Sequence, residues 1–210
     1  MKIRPTAARA RLQAGQAFPE FLVVIPVFLF LLLLIFQMVL VYRAKTVLDL
    51  AALEAARAGA VHHLHADEMR KGLVRGMMPL YATGSAPSDV YAAWAKASAD
   101  LAVHSRIQVV SPSRQAWEQF KERQHDGRFA LPNDNLAFRD TTVKAGVNVQ
   151  DANILKIRVV YHYPLIVPFV DRVLRDRSEL VQGGRHFRIP LESHAIVRMQ
   201  TPIDESAALH

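Results

Sequence analysis

The sequence predicts an α+β protein: a long N-terminal transmembrane helix that continues into an exported domain with short helices and a small antiparallel sheet. Three observations carry this. Phe21 to Tyr42 is an apolar run in which only Gln37 is conspicuously polar. Arg43 to Ala60 continues with helix-forming Ala and Leu, free of Pro and with no Gly before Gly59. Later the period changes: Ile154 to Tyr163 and Phe187 to Gln200 alternate apolar and polar residues as half-buried strands do.

At 1.5 Å per residue the apolar run reaches roughly 33 Å, enough to cross a bilayer. A helix apolar on every face has no use at the edge of a soluble domain. A cleavable secretory signal has an apolar core of only about 7–15 residues with small residues close behind it. Here the core is longer, and the first suitable small residues lie near Ala58. Lys2, Arg4, Arg9 and Arg11 precede the run and no acid precedes Glu20, whereas Arg43 and Lys45 are soon balanced by Asp49 and Glu54. The heavier basic excess stays in the cytoplasm, so the remaining segment of about 165 residues is expected on the far side.

The expected division is a basic leader over 1–15, a transmembrane and stem helix over 16–60 and a globular domain over 61–210. From Glu20 to about Ala60 the helix would be roughly 60 Å long. Pro26 removes one of its backbone hydrogen bonds and predicts a kink. Ala44, Ala51, Ala55 and Ala58 form a small-residue face suited to close helix packing. Contact with the chain's own domain and contact with neighbouring subunits would both use that face.

An exported domain of about 150 residues can bury a real core. The chain has no Cys, so packing alone must hold it together. The formal charge is +7. Four of these charges sit in the leader, leaving roughly +3 on the rest, which gives little support for a nucleic-acid partner.

His62, His63 and His65 lack the spacing of a known metal site and read as a solvated connection. Met69 to Tyr81 reads as a short amphipathic helix, with Met69, Leu73, Met77 and Leu80 on one face. Gly84 to Ser88 is a loop, and Ser88 or Asp89 caps a third helix reaching His104, with Tyr91, Trp94, Ala97 and Leu101 along one face. Arg106 to Val110 is a short strand, Gln115 to Arg123 a polar helix, and Gln124 to Asp140 loop-like around a turn at Pro132 to Asn135. On the Ile154 to Tyr163 strand, Leu155, Ile157, Val159, Tyr161 and Tyr163 share a face. Pro164 to Leu174 is a connection with a short helix, Pro168 in its first turn. Its apolar part, Tyr163 to Val170, either closes the core or faces a neighbouring subunit. Gly183-Gly184 turns the chain into the last strand, where Pro190 argues for an edge or a strand start.

Glu20 stands at the lip of the apolar run, where a carboxylate is costly unless paired. It lies five residues after Gly15. A basic leader, Gly15, Glu20 and then the apolar run together resemble a type IV prepilin. The pair Glu20-Phe21 resembles the Tad (Flp, type IVc) branch. The string Glu20-Phe21-Leu22-Val23-Val24-Ile25-Pro26, with Ala51-Ala52-Leu53-Glu54-Ala55-Ala56-Arg57-Ala58-Gly59-Ala60, resembles the TadE-like minor pilins or pseudopilins. Softer likenesses run through Pro132 to Leu136, Asp151 to Val159 and Ile189 to Gln200. The chain is too long for a major Tad pilin, and it lacks the Asp-x-Ser-x-Ser motif of the larger TadG-type relatives.

The resemblance implies a pilin-like fold with a periplasmic domain. It implies cleavage between Gly15 and Gln16 by a membrane prepilin peptidase, with the apolar helix left attached. It implies that Glu20 pairs with the N-terminus of an adjoining subunit during assembly, next to Phe21. The implied partners are the inner membrane, the peptidase, other Tad pilins or pseudopilins and the assembly platform. The implied role is pilus assembly or tip formation for adhesion and biofilm. The competing expectation is an unprocessed, single-pass anchored binding module.

No catalytic signature accompanies these features: there is no Gly-x-Ser-x-Gly, His-Glu-x-x-His, P-loop or Cys nucleophile. The sequence therefore predicts a non-enzyme with no catalytic residue, no metal, no cofactor, no nucleic acid and no small-molecule substrate.

Overall fold

The computed structural model describes residues 17–125, 127–144, 146–167, 181–183, 186–205, 207 and 209. Helix α1, Ala17–Val61, is continuous over 45 residues and contains Pro26. Its two halves behave differently. From Phe21 to Val39 most of the large apolar side chains are exposed. From Ala44 on, Ala44, Leu48, Ala51, Ala52, Ala55, Ala56 and Ala60 are buried, at spacings that keep them on one helical stripe. The chain's own domain therefore covers the small-residue face, with Ala58 only partly shielded.

Helix α2, Ala66–Met77, runs back along α1 and buries Met69, Gly72, Leu73, Val74 and Met77. The two helices approach through small residues. A Cβ at Gly76 would sit 2.4 Å from Ala51 Cα, and one at Gly72 would sit 2.9 Å from Glu54 O. The reversal between the helices places His63 and Leu64 at positive φ, 51° and 64°. Such angles disfavour residues with a Cβ. Leu64 is fully buried, and the His63 N–H donates to Thr201 Oγ1 at 3.0 Å. The N–H groups of Gln200 and Thr201 both donate to Ala60 O, so a segment near the C-terminus closes the end of α1.

After a 3-10 turn, Met78–Leu80, helix α3 spans Pro87–His104. Ala86 is its N-cap, and Asp89 acts from the third position by accepting the Ala86 N–H at 3.3 Å. Its buried residues are Ala93, Ala97 and Leu101. Ala97 and Leu101 are thus buried as predicted, whereas Tyr91 and Trp94 lie outside, 79% and 51% exposed, which corrects that half of the predicted face. The helix lies against its neighbours through small side chains, because these permit close approach, and its large rings are turned away.

Strands β1 (Ser105–Ser111), β4 (Ile154–Pro164), β5 (Val181–Gly183) and β6 (His186–Arg198) form one antiparallel sheet in the order β1-β4-β6-β5. The inner face of β4 is Leu155, Ile157, Val159, Tyr161 and Tyr163, all buried, as the alternation predicts. Ile157 stands opposite Ala195, and His162 opposite Pro190. Pro190 is neither at the start of β6 nor on the outermost strand. The described part of β5 pairs only with His186 to Arg188, so Pro190 lies beyond that pairing and costs no described ladder bond there.

A second sheet, β2 (Glu122–Arg123), β3 (Phe129–Leu131) and β7 (Ile203–Asp204), was not expected. Helix α4, Arg114–Phe120, stops short of the predicted Arg123, and the Gln124 to Asp140 stretch holds β3 and a 3-10 turn, Leu136–Phe138. Strands of two or three residues are too short for alternation to register. Trp117, almost fully buried, ties this layer together by donating from Nε1 to Ile203 O at 2.8 Å. A short helix α5, Val149–Ala152, precedes β4 and is capped by Asn148, whose side chain accepts the Asp151 N–H.

Candidate functional site

The residues singled out by the sequence lie at the start of α1. Glu20 and Phe21 both lie within α1, near the N-terminal limit of its described residues. Gly15 and Gln16 lie outside the described residues, as do Pro168 and Phe169 with the short helix expected there. Phe21 is 57% exposed. It opens a long uncovered surface that includes Val23, Val24, Phe28, Leu29, Ile35, Phe36, Met38 and Val39. Each such side chain left in water forfeits about 1.5–3 kcal/mol. The helix is long and apolar enough to cross a membrane, and almost none of this stretch is covered by the rest of the chain.

The first residue of the run to be covered is its polar one. Gln37 is 1% exposed. Its Oε1 accepts the backbone N–H groups of Ile166 and Val167 at 3.1 and 2.9 Å. The chain leaving β4 is thereby held against the apolar helix, with Leu165 buried and Ile166 half exposed. In the described part of the apolar connection Tyr163 and Leu165 are buried, as core closure predicts, and Ile166 is 55% exposed.

Above this contact lies a partly buried polar cluster that the sequence did not reveal. Tyr81 and Tyr161 donate their hydroxyls to Asp100 Oδ2 at 2.6 and 2.7 Å. Arg188 Nη2 donates to Asp100 Oδ1 at 3.0 Å, and its Nη1 donates to His162 O at 2.7 Å. His104 Nδ1 also lies 3.0 Å from Asp100 Oδ1. Burial pushes the Asp100 carboxyl up, but hydrogen bonds from the two tyrosines and the Arg188 guanidinium outweigh it and hold the group below the usual carboxylate value. Burial raises both tyrosine hydroxyls well above their ordinary value. The carboxylate's oxygens are occupied by structural donors, and the cluster joins α3, β4, β6 and the turn after α2. Five residues scattered over more than a hundred positions leave no linear motif, so no sequence signal marked them.

Among the described residues no group of three or more His, Asp or Glu side chains is placed to hold a metal. His63 Nδ1 is 2.8 Å from Pro202 O, and His65 Nε2 is 3.6 Å from Asp204 Oδ2, so both rings are engaged with the C-terminal segment.

Residues 15–57 match the family model described as TadE-like protein. The match covers about a fifth of the chain and takes in the apolar run and most of the buried half of α1. No curated protein and no solved structure matches.

Proposed function

We propose that this chain, TadE-like over residues 15–57, is a minor pilin or pseudopilin of a Tad (Flp, type IVc) pilus. The observation that carries the reading is the coincidence of that match with one helix, Ala17–Val61, bare over its first half and part of a domain core over its second. A helix of this kind holds the subunit in the inner membrane before assembly. In a filament its uncovered half packs against the same half of neighbouring subunits. The N-terminus lies in the cytoplasm and the domain in the periplasm, in keeping with the basic leader.

In this reading a prepilin peptidase cuts between Gly15 and Gln16, and the new α-amino group meets Glu20 of an adjoining subunit. Opposite charges entering an apolar bundle attract strongly, and leaving either alone is costly. The subunit serves assembly or the filament tip, and through it adhesion.

Mass spectrometry of the N-terminus from native membranes tests the reading. A mature chain starting at Gln16 is expected. A chain starting at Met1 throughout would instead support an unprocessed anchored module.

A further inference from the structure

Where the apolar run of α1 ends, a groove of about 770 Å³ opens between α1, α3 and the end of β4. Its volume falls in the range of small-molecule sites, about 300–1,000 Å³. The apolar wall is Leu40, Leu80, Pro164 and Ile166. Two cations, Arg43 on α1 and Lys96 on α3, line the same groove. Both are exposed, and neither has an ion-pair partner among the described residues. Among the described residues the one acid in the lining, Asp100, is already answered by Arg188 and the two tyrosine hydroxyls. Among the described residues the groove therefore offers an apolar surface with two positive charges that no carboxylate answers.

Its position is set by Gln37, which fastens Ile166 to the apolar helix one turn before Leu40. The groove mouth thus stands at the level where α1 leaves the bilayer. We propose that the groove binds an anionic phospholipid of the membrane that α1 crosses, its phosphate between Arg43 and Lys96 and the upper part of an acyl chain on Leu40, Leu80 and Ile166. The proposal rests on the reading of α1 as a membrane helix. Guanidinium and ammonium groups close to a membrane surface attract anionic headgroups, and the guanidinium fork matches phosphate oxygens. A zwitterionic headgroup would bring its own cation against these two. An apolar helix from a neighbouring subunit would bury both without a counter-charge, which is costly. A lipid phosphate satisfies both and leaves its chain on the apolar wall.

The test uses the full chain in membranes and then in neutral detergent micelles. Resistance to alkaline extraction is expected first, because it checks the membrane premise separately. Binding of dioleoyl-phosphatidylglycerol and dioleoyl-phosphatidylcholine is then compared by native mass spectrometry and by the shift each lipid causes in thermal unfolding. The anionic lipid should bind about tenfold more tightly, a difference of about 1.4 kcal/mol. Arg43→Gln with Lys96→Gln should abolish the preference while leaving the unfolding midpoint without lipid unchanged. Ala99→Trp, at an exposed position in the groove, should block the anionic lipid while both cations remain. Equal binding of the two lipids, a preference that survives the double substitution, or wild-type binding by Ala99→Trp would each overturn the proposal. Loss of self-association in the double variant without any lipid preference in the wild type would assign the groove to a second copy and overturn it as well. Release of the chain by alkaline extraction would remove the membrane premise and the proposal with it.

Discussion

Gln37 and Ile166 are joined across 129 residues of sequence: the side-chain Oε1 of the first accepts the backbone N–H of the second at 3.1 Å. The same oxygen takes the Val167 N–H at 2.9 Å. A helix that is otherwise apolar from Phe21 to Val41 therefore spends its single amide on fixing the domain's orientation. Without it, two backbone donors beside an apolar helix would have no acceptor.

Gln37→Leu should destabilise this contact by about 1–3 kcal/mol for each donor left unsatisfied. The α1–α2 pair is expected to keep its structure. Hydrogen exchange should accelerate at Ile166 and Val167 and remain slow at Leu73 and Ala55. Unchanged exchange at 166 and 167 would show that the bond does not hold the connection.

Gly76 permits the approach of α2 to α1, because any Cβ there would meet the Ala51 backbone at 2.4 Å. Alanine improves helix propensity by about 0.8–1.0 kcal/mol at an exposed position. At this one, overpacking should outweigh the gain, giving a net loss of up to about 2 kcal/mol. Denaturant unfolding of Gly76→Ala in detergent checks the sign; a stabilised variant would show that the helices separate freely.

Asp100 predicts an acid sensitivity. Its folded value lies below the ordinary 3.8, so its contribution is complete above that value and is lost as pH falls through the lower, folded one. Thermal unfolding midpoints should therefore drop as the pH is taken below 3.8. Asp100→Asn should be less stable at neutral pH and show a shallower acid-side slope. Parallel pH profiles for the two proteins would place the acid sensitivity elsewhere.

Processing and assembly should separate genetically. Gly15→Leu is expected to block maturation and leave the longer chain in the membrane, since a bulky side chain obstructs entry of the backbone into the peptidase. Glu20→Ala should still be cut and inserted but be absent from sheared pili. Normal piliation by Glu20→Ala at normal expression would remove the pairing role assigned to Glu20.

The sequence by itself determined the elements whose signal is local and long. The length of α1 follows from an uninterrupted apolar and Ala-rich stretch, and the inner face of β4 from strict alternation over Leu155, Ile157, Val159, Tyr161 and Tyr163. The TadE-like character of residues 15–57 was equally legible, because it rests on contiguous residues. Only the tertiary structure decided the rest. Whether Ala51 and Ala55 meet a neighbour or the chain's own α2 depends on where Gly72 and Gly76 stand, and helix periodicity alone does not say. The α3 face kept the expected Ala97 and Leu101 but took Ala93 in place of Tyr91 and Trp94, because closeness of approach, not side-chain size, selected the contact. Gln37 read as an isolated polar residue until the end of β4 was placed beside it, and nothing in the sequence singled out Asp100, on which Tyr81, Tyr161 and Arg188 converge. Hydrogen bonds between residues far apart in the chain obey no periodicity, so they become visible only when packing has brought their donors and acceptors together.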